Sequence, residues 1–587
     1  MTTGFEVRLR AERGWRTFRG PTRIIRATAV ADVEAALAEV ERAVRDEGCY
    51  AAGYVTYEAA GAFGLPVQPR HPDGLPLVCF GLFSPGSVGR DHGVTGAGSY
   101  DTGPWEPSLG PEAYAGAIAR IKALIEAGET YQINFTFRLA AAFTGTPLAL
   151  LRDLDAAQDG PWGAYVDDGR FALCSASPEL FYRLSRDGRI ECRPMKGTAP
   201  RGLWAEADRA QGAALQASPK NRAENVMVVD MARNDLGRVA RTGSVETPAL
   251  FEVERYPLQW QMTSRVRARV DAGLPALFRA LFPSGSVTGA PKHRSMSIIR
   301  ELEPAPRGIY TGAIGYLSPH GRQHFNVAIR TVTIDRASGR AEFGVGSGVV
   351  WDSSAVEEYE ECRLKASILL SRPRSSYATG QRPGFRLLET IGWTPAGGFA
   401  LLPRHLARLE ASAACFRFRC DLDEIGAMLD TAVGDLIGPS KVRVLLSRDG
   451  AVVCEGIDLG EAALGPLQVS MAAEPVDPAD VFLYHKTTRR EVYEHARASR
   501  PDRDTVLLWN RDREITESTD ANIVVSLDGR RYTPPVAAGL LPGTLRAELV
   551  EGGDIQERRI TIEDLALAGD LWLINSVRGW MPAILLP

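Results

Sequence analysis

SRPRSSYATGQRPG, residues 371–384, has no apolar period and is dense in Ser, Pro and Gly, so it reads as a linker and not as part of a core. That reading decides the architecture: residues 1–370 form one body, residues 371–384 join, and residues 385–587 form a second body. With 587 residues, 45% of them hydrophobic, each body can bury a core of its own. There is no internal repeat and no long low-complexity tract. The formal net charge is −4 and no basic stripe interleaves with aromatics, so no nucleic-acid partner is expected. No run approaches about 18 apolar residues, and the opening MTTGFEVRLRAERGWR has no apolar h-region, so no membrane partner and a cytoplasmic location are expected. The eight cysteines form no CxxC pair and read as free thiols of a reducing compartment.

Outward from the linker, both bodies mix helical and strand periods. In the first, AAGYVTYEAA (51–60) and RFALCSASPELFYRL (170–184) read as strands. PEAYAGAIARIKALIEAGE (111–129) reads as a helix with Pro at its start. In the second, HLARLEASAACF reads as a helix, and KVRVLLSRDG and NIVVSLDGRRYT as strands with turns. Both bodies are therefore α/β or α+β.

Two acidic helix candidates stand out in the first body. In AVEEYEECRLKASILL, Glu358 and Glu361 are three apart and share a face. KNRAENVMVVDMARNDLGR carries Glu224 and ends near Gly237. Hard cations take oxygen ligands, so one carboxylate from each helix plus substrate oxygens would suffice, although most helical glutamates are simply solvated. GSVTGAPK, TGAIGY and GVGSGVV are glycine-dense turns that let backbone N–H groups approach an anion. RPMKGTAP (193–200) sets a single lysine between prolines. A lysine is ordinarily a solvated surface charge; this one is also a candidate nucleophile.

Read together and in order, YQINFTFRL, SASPELF, RPMKGTAPRG, NRAENVMVVDMARNDLGRV, FPSGSVTGAPKHRSMSIIRELEP, RGIYTGAIGYLS, FNVAIRT and EYEECRLKA resemble the chorismate-utilising enzymes. That group holds the anthranilate and aminodeoxychorismate synthase components I and the isochorismate and salicylate synthases. The resemblance implies an α+β, anthranilate synthase component I-like fold, chorismate as substrate and Mg²⁺ as cofactor. It implies Glu224 and Glu361 as metal ligands, with Glu358 nearby through water. It implies Arg330 for a substrate carboxylate, where a guanidinium fork suits the geometry. Gly346, Gly348, Thr288 and Lys365 are implied as further substrate-binding positions.

The resemblance also gives Lys196 a role. The anthranilate synthases carry Ala at this place, in Pro-Ile-Ala-Gly-Thr, whereas aminodeoxychorismate synthases carry Pro-Ile-Lys-Gly-Thr; here it is Pro-Met-Lys-Gly-Thr. In that subfamily the lysine adds to C2 of the ring and the 4-hydroxyl departs, with Glu179 matching the acid/base carboxylate. Ammonia then adds at C4 and displaces the lysine. At an ordinary pKa of about 10.4 only about one lysine in 2500 is neutral at pH 7, a penalty of roughly 4.6 kcal/mol that burial or a neighbouring cation must offset.

Three departures matter. Gln261 stands where the family carries a histidine that assists pyruvate elimination, so release of the aminated intermediate is expected. Asn221 stands where relatives are often acidic. No Gly-x-Cys-x-Gly nucleophile elbow is present, so ammonia is expected either free or from a separate glutamine amidotransferase subunit.

FRLLETIGW, LLPRHLARLEASAACF, LYHKTTRREVYE, REITESTDANIVV, GLLPGTLRAEL and INSVRGWMPA resemble the class IV pyridoxal-phosphate enzymes over nearly all of the second body. This implies an α/β, D-amino acid aminotransferase-like fold, pyridoxal 5'-phosphate as cofactor and a homodimer through this body. Lys486 would carry the cofactor and move protons. Glu517 would face the pyridine nitrogen and keep it protonated. Arg408 would pair with the phosphate, completed by Gly543, Thr544, Asn575 and Ser576. Arg578 is a candidate for a substrate carboxylate. The combined expectation is amination of chorismate followed by pyruvate elimination to 4-aminobenzoate. Two alternatives stay open: an anthranilate or salicylate synthase joined to an aminotransferase, and a non-catalytic chorismate-binding subunit.

Overall fold

A computed structural model describes residues 4–11, 14–94, 98–257, 259–370, 384–460 and 465–587. The expected linker therefore lies, apart from Gly384, outside the described residues. The chain divides into two compact units, with Gly202–Ala210 grouped with the second and the other described residues up to Leu370 forming the first. The first body is thus not wholly continuous in sequence.

In the first unit, an eleven-stranded and a ten-stranded sheet hold the described strands, and every strand pair is antiparallel. Alternation along single strands shows how they pack. In Phe171–Ser175, Ala172 and Cys174 join a core with helices Pro111–Glu126 and Pro147–Gln158, while Phe171 and Leu173 join a second core. In Val78–Phe83 of the other sheet, Cys79 and Phe83 reach that same second core, while Val78, Phe80 and Leu82 pack on helix Val33–Asp46. The sheets thus share an inner core and each carries helices on its outer face. Buried on both faces, such strands read as continuous apolar runs.

The elements that position the site are β1 (Gln132–Gly145), β2 (Leu180–Leu184), β3 (Met195–Pro200), α1 (Pro219–Gly237), β4 (Gln259–Arg269), β5 (Thr331–Asp335), β6 (Arg340–Val349) and α2 (Ala355–Leu370). The expected strand over 170–184 is two strands in different sheets, broken at the Ser177-Pro178 step, because Pro ends ladder pairing. The expected strand over 51–60 ends at Val55 and continues as a 3-10 helix, Tyr57–Phe63. The helix expected from Pro111 runs to Glu126 with Pro in its first turn, where the missing N–H costs nothing.

The second unit holds a four-stranded sheet around β7 (Leu387–Thr394) and β8 (Ser440–Leu446), flanked by α3 (Leu402–Phe416). An eight-stranded mixed sheet includes β9 (Ile515–Ser518) and β10 (Leu571–Asn575), with α4 (Thr544–Glu551) packed on β10. Parallel pairs in that sheet make this unit α/β. Among the described residues no helix is long and apolar enough to cross a membrane. Among the described residues no cysteine forms a disulfide.

Candidate active sites

In the first unit, β3, α1, β6 and α2 contribute to the wall of a cavity of about 300 Å³. Lys196, in β3, lines it. Asn225 of α1 fixes the strand there, donating to the Lys196 carbonyl at 3.2 Å and the Met262 carbonyl at 3.4 Å, while Ser264 donates to its amide oxygen at 2.5 Å. Gly197 follows with φ of 101°, a conformation that favours glycine. The lysine runs against Gly348 of β6: a methyl group there would collide with its ammonium. Burial lowers the pKa of Lys196 and the Lys365 charge lowers it further, while Glu224, Glu361 and Glu179 pull it up.

Glu179 sits just before β2, buried, and accepts a hydrogen bond from Ser286 Oγ at 2.5 Å. Burial pushes its carboxyl up to about 7, against the Ser286 bond and the Lys196 charge. A carboxyl with that value exchanges protons near neutrality.

Glu224 on α1 and Glu358 and Glu361 on α2 all line the cavity. Lys365, one turn beyond Glu361, lies 2.6 Å from it and donates to the Gly346 carbonyl at 2.9 Å. That lysine holds the Glu361 carboxyl below its ordinary value. Burial raises Glu224, and the charges of Glu358 and Glu361 add to the rise. Glu358 accepts from Ser353 at 2.7 Å through one oxygen, and its other oxygen is buried without a partner. Among the described residues no three metal-ligating side chains converge, since Glu361 is drawn to Lys365 and Glu358 to Ser353. The donor set nonetheless suits a hard cation: crowded carboxylates and an orphaned oxygen are what such an ion would satisfy.

Arg330 precedes β5 with φ of 51° and is buried on the cavity wall. It donates to Gln158, and Gln259 presents its amide oxygen to the same guanidinium. Burial pulls it down to about 10. Its partners there are neutral amides and no carboxylate acts on it, so an anion entering the cavity would meet a charge not yet offset. Gly346 and Gly348 line the cavity, paired in register with Thr136 and Asn134 of β1. Thr288 differs from expectation. It is buried behind the wall formed by Ser286 and Val287, and its hydroxyl is spent on the Ser284 and Gly285 carbonyls at 3.2 and 3.4 Å. Gln261 lines the cavity and donates to Thr198 Oγ1 at 3.2 Å. Ser286 and Asn225 went unnoticed in the sequence although both lie inside quoted motifs, whereas Gln158 and Gln259 carry no local signal at all.

A cavity of about 400 Å³ in the second unit gathers Arg408, Lys486, Glu517, Gly543, Thr544, Asn575, Ser576 and Arg578. Burial pulls the Lys486 ammonium down to about 8, helped by Arg408 and opposed by Glu389. Burial pushes the Glu517 carboxyl up to about 7. Tyr493 Oη, the Leu541 N–H and Asn522 Nδ2 donate to it at 2.9, 3.0 and 3.1 Å. Arg408, on α3, is not free: it forms a fork with Glu389 of β7 at 2.8 and 2.6 Å and donates to the Pro542 carbonyl at 3.0 Å. Gly543 caps α4, and a methyl group there would run into Asn522 Oδ1. Asn575 Oδ1 accepts from the Val577 and Arg578 N–H groups. A guanidinium, two hydroxyls and a helix N-terminus beside a lysine are a donor set that fits a phosphorylated cofactor. Glu389, His405, Tyr493 and Asn522 belong to this constellation and had no signal beyond their place in quoted segments.

Comparison with known proteins agrees with both halves. Residues 6–371 match the model of the chorismate binding enzymes, and residues 386–585 match that of the class IV amino-transferases. The aminodeoxychorismate synthase component 1 of Klebsiella aerogenes is 42% identical over 276 residues, 47% of this chain and 60% of that protein. The anthranilate synthase component 1 of Pseudomonas putida is 39% identical over 252 residues, 43% of this chain and 50% of that protein. The chain thus spans less than two thirds of the length of either relative. The crystal structure of anthranilate synthase component I from Streptococcus pneumoniae TIGR4 superposes with a TM-score of 0.51 at 26% identity, covering 62% of this chain and 91% of that one. The matched model covers well over half of the 587 residues, so the chain belongs to the chorismate binding enzymes.

Proposed function

We propose that this chorismate binding enzyme aminates chorismate to 4-amino-4-deoxychorismate in its first unit and eliminates pyruvate from that product in its second, giving 4-aminobenzoate for folate synthesis. The observation that carries the first half is Lys196, a half-buried lysine of lowered pKa on the same cavity wall as Glu179, Glu224, Glu361 and Arg330. Mg²⁺, held by Glu224 and Glu361 with Glu358 nearby through water, would supply positive charge to a ring carboxylate. Arg330 would bind another substrate carboxylate. Neutral Lys196 would attack C2 of the ring while the 4-hydroxyl leaves as water with the Glu179 proton. Ammonia would then form the C4–N bond as the C2–Lys196 bond breaks, and the proton balance would return through Glu179. The ammonia would come free or from a separate glutamine amidotransferase, in keeping with the component 1 naming of a relative.

In the second unit, Lys486, Arg408, Glu517, Gly543, Thr544, Asn575 and Ser576 would hold pyridoxal 5'-phosphate, which supplies an electron sink when bound. Lys486 would take the proton from C4 of the substrate, and departure of pyruvate would complete the aromatic ring. Arg578 would orient a substrate carboxylate. Lyase chemistry is favoured over transamination because the first unit's product carries the amine this cavity would receive. The test of the carrying observation is Lys196→Ala supplied with chorismate, Mg²⁺ and ammonium. Aminodeoxychorismate formation should fall by about 10²-fold or more, as for loss of an activated group; formation at the wild-type rate would contradict the covalent role.

A further inference from the structure

Behind the second cavity lies a layer of polar groups that do not line it. Glu389 of β7 and His405 of α3 are each 1% exposed. Glu389 accepts from Arg408 through both oxygens and faces His405 Nδ1 at 2.7 Å. The other edge of the ring, Nε2, stands 2.9 Å from Ser576 Oγ and 3.1 Å from Thr544 Oγ1. Arg408, Ser576 and Thr544 all line the cavity. One buried carboxylate therefore reaches three lining groups, directly through a guanidinium and indirectly through an imidazole.

The chemistry of the chain of contacts is fixed at its inner end. Burial alone would raise the Glu389 carboxyl, but Arg408 and His405 outweigh it and hold it down at about 2. An ionised carboxylate only accepts, so Nδ1 carries a proton, and Nε2 is left to orient the two hydroxyls. No buried side-chain polar atom of Glu389, His405 or Arg408 lacks a partner. A complete buried network of this kind rigidifies the groups it holds, and a charge left unpaired in it would be expensive.

We propose that Glu389 and His405 are positioning residues for a phosphate monoester: they hold Arg408, Ser576 and Thr544 in the arrangement that receives the cofactor phosphate, so they set affinity for the phosphate and not for the pyridine ring. This rests on reading the second cavity as a pyridoxal-phosphate site. The test compares two probes on the full chain stripped of cofactor: pyridoxal 5'-phosphate, and pyridoxal, which has the same ring and aldehyde but no phosphate. Binding is followed by tryptophan fluorescence and visible absorbance.

In Glu389→Gln and in His405→Asn the Kd for pyridoxal phosphate should rise about tenfold or more, the effect of losing a charge-assisted hydrogen bond; the Kd for pyridoxal should stay unchanged in His405→Asn and move far less than that for pyridoxal phosphate in Glu389→Gln, whose charge also acts on Lys486. The ³¹P resonance of the bound phosphate should shift in both. In a Thr544→Val/Ser576→Ala background, His405→Asn should cost nothing more, because its targets are gone. Equal weakening of both probes, or no weakening of pyridoxal phosphate, would overturn the proposal. If one variant fails to fold, the other gives the same contrast. Failure of the unsubstituted chain to saturate with pyridoxal phosphate would instead sink the cofactor reading, and the inference with it.

Discussion

Lys196 and Lys486 are one side chain in two enclosures. Burial leads the lowering of both ammonium groups, yet their neighbours differ. Around Lys196 stand a second lysine and three carboxylates, and the carboxylates pull its proton affinity back up. Around Lys486 stand arginines and a carboxylate pair, Glu389 and Glu517, each held by its own donors. The first enclosure mixes carboxylates and cations, but only Glu361 and Lys365 pair closely; Glu224 stays raised by burial and one Glu358 oxygen has no partner, a donor set that suits a hard cation. The second has its carboxylates already matched and its hydroxyls already aimed, as a site built for a preformed cofactor would be. On the proposed reading the same depressed lysine would serve as a nucleophile in one place and as a cofactor anchor in the other, and the partners make the difference.

The comparison can be broken most forcefully at the acid. Glu179→Gln should lower the amination rate by about 10³-fold, within the range for a general acid. The wild-type rate should fall as pH rises through about 7, where Glu179 loses its proton, and the variant should lack that limb. A pH-rate profile for each protein checks this, and an unchanged limb in the variant would remove Glu179 from the role. Next, Gly348→Ala should displace Lys196 and lower amination by about 10²-fold, the scale of a small misplacement of a reacting group, while pyruvate elimination from supplied aminodeoxychorismate stays unaffected. Loss of both activities would point to unfolding and not to the lysine.

Glu358→Gln should weaken Mg²⁺ activation about tenfold, the scale of a residue next to the metal's ligands, without altering the second unit. Titration of amination rate against Mg²⁺ measures it. The smallest effect is expected from Gln261→His. It should cost about 1 kcal/mol in stability, since Gln261 gives up side-chain bonds to Thr198 and Gln259. Its readout is pyruvate released in a Lys486→Ala background, and no rise would show that the missing histidine is not what would stop the first unit at the aminated product.

How much of this was legible in the sequence depends on how local each feature is. Two bodies were expected from composition at the linker; the structure divides into two units, but Gly202–Ala210 groups with the second, which composition did not signal. The helix carrying Glu358 and Glu361 followed from spacing, and the motifs brought eight positions of the second body to one cavity. What could not be read was pairing between distant segments. Arg330 meets Gln158 and Gln259 only because strand order brings them together. The run over 170–184 reads as one strand because both halves are apolar; Pro178 marks the break, but that the halves join different sheets is set by tertiary packing. Thr288 sits in a motif that touches the cavity, but its hydroxyl closes its own turn. Glu389 and His405 reach their targets from the next layer, where no spacing rule applies.

The most direct measurement incubates the full chain and its Lys486→Ala variant with chorismate, Mg²⁺ and ammonium, and identifies the products by chromatography. The wild type should give 4-aminobenzoate and the variant should accumulate aminodeoxychorismate. Anthranilate or salicylate from either protein, or 4-aminobenzoate from the variant at the wild-type rate, would contradict the proposed function.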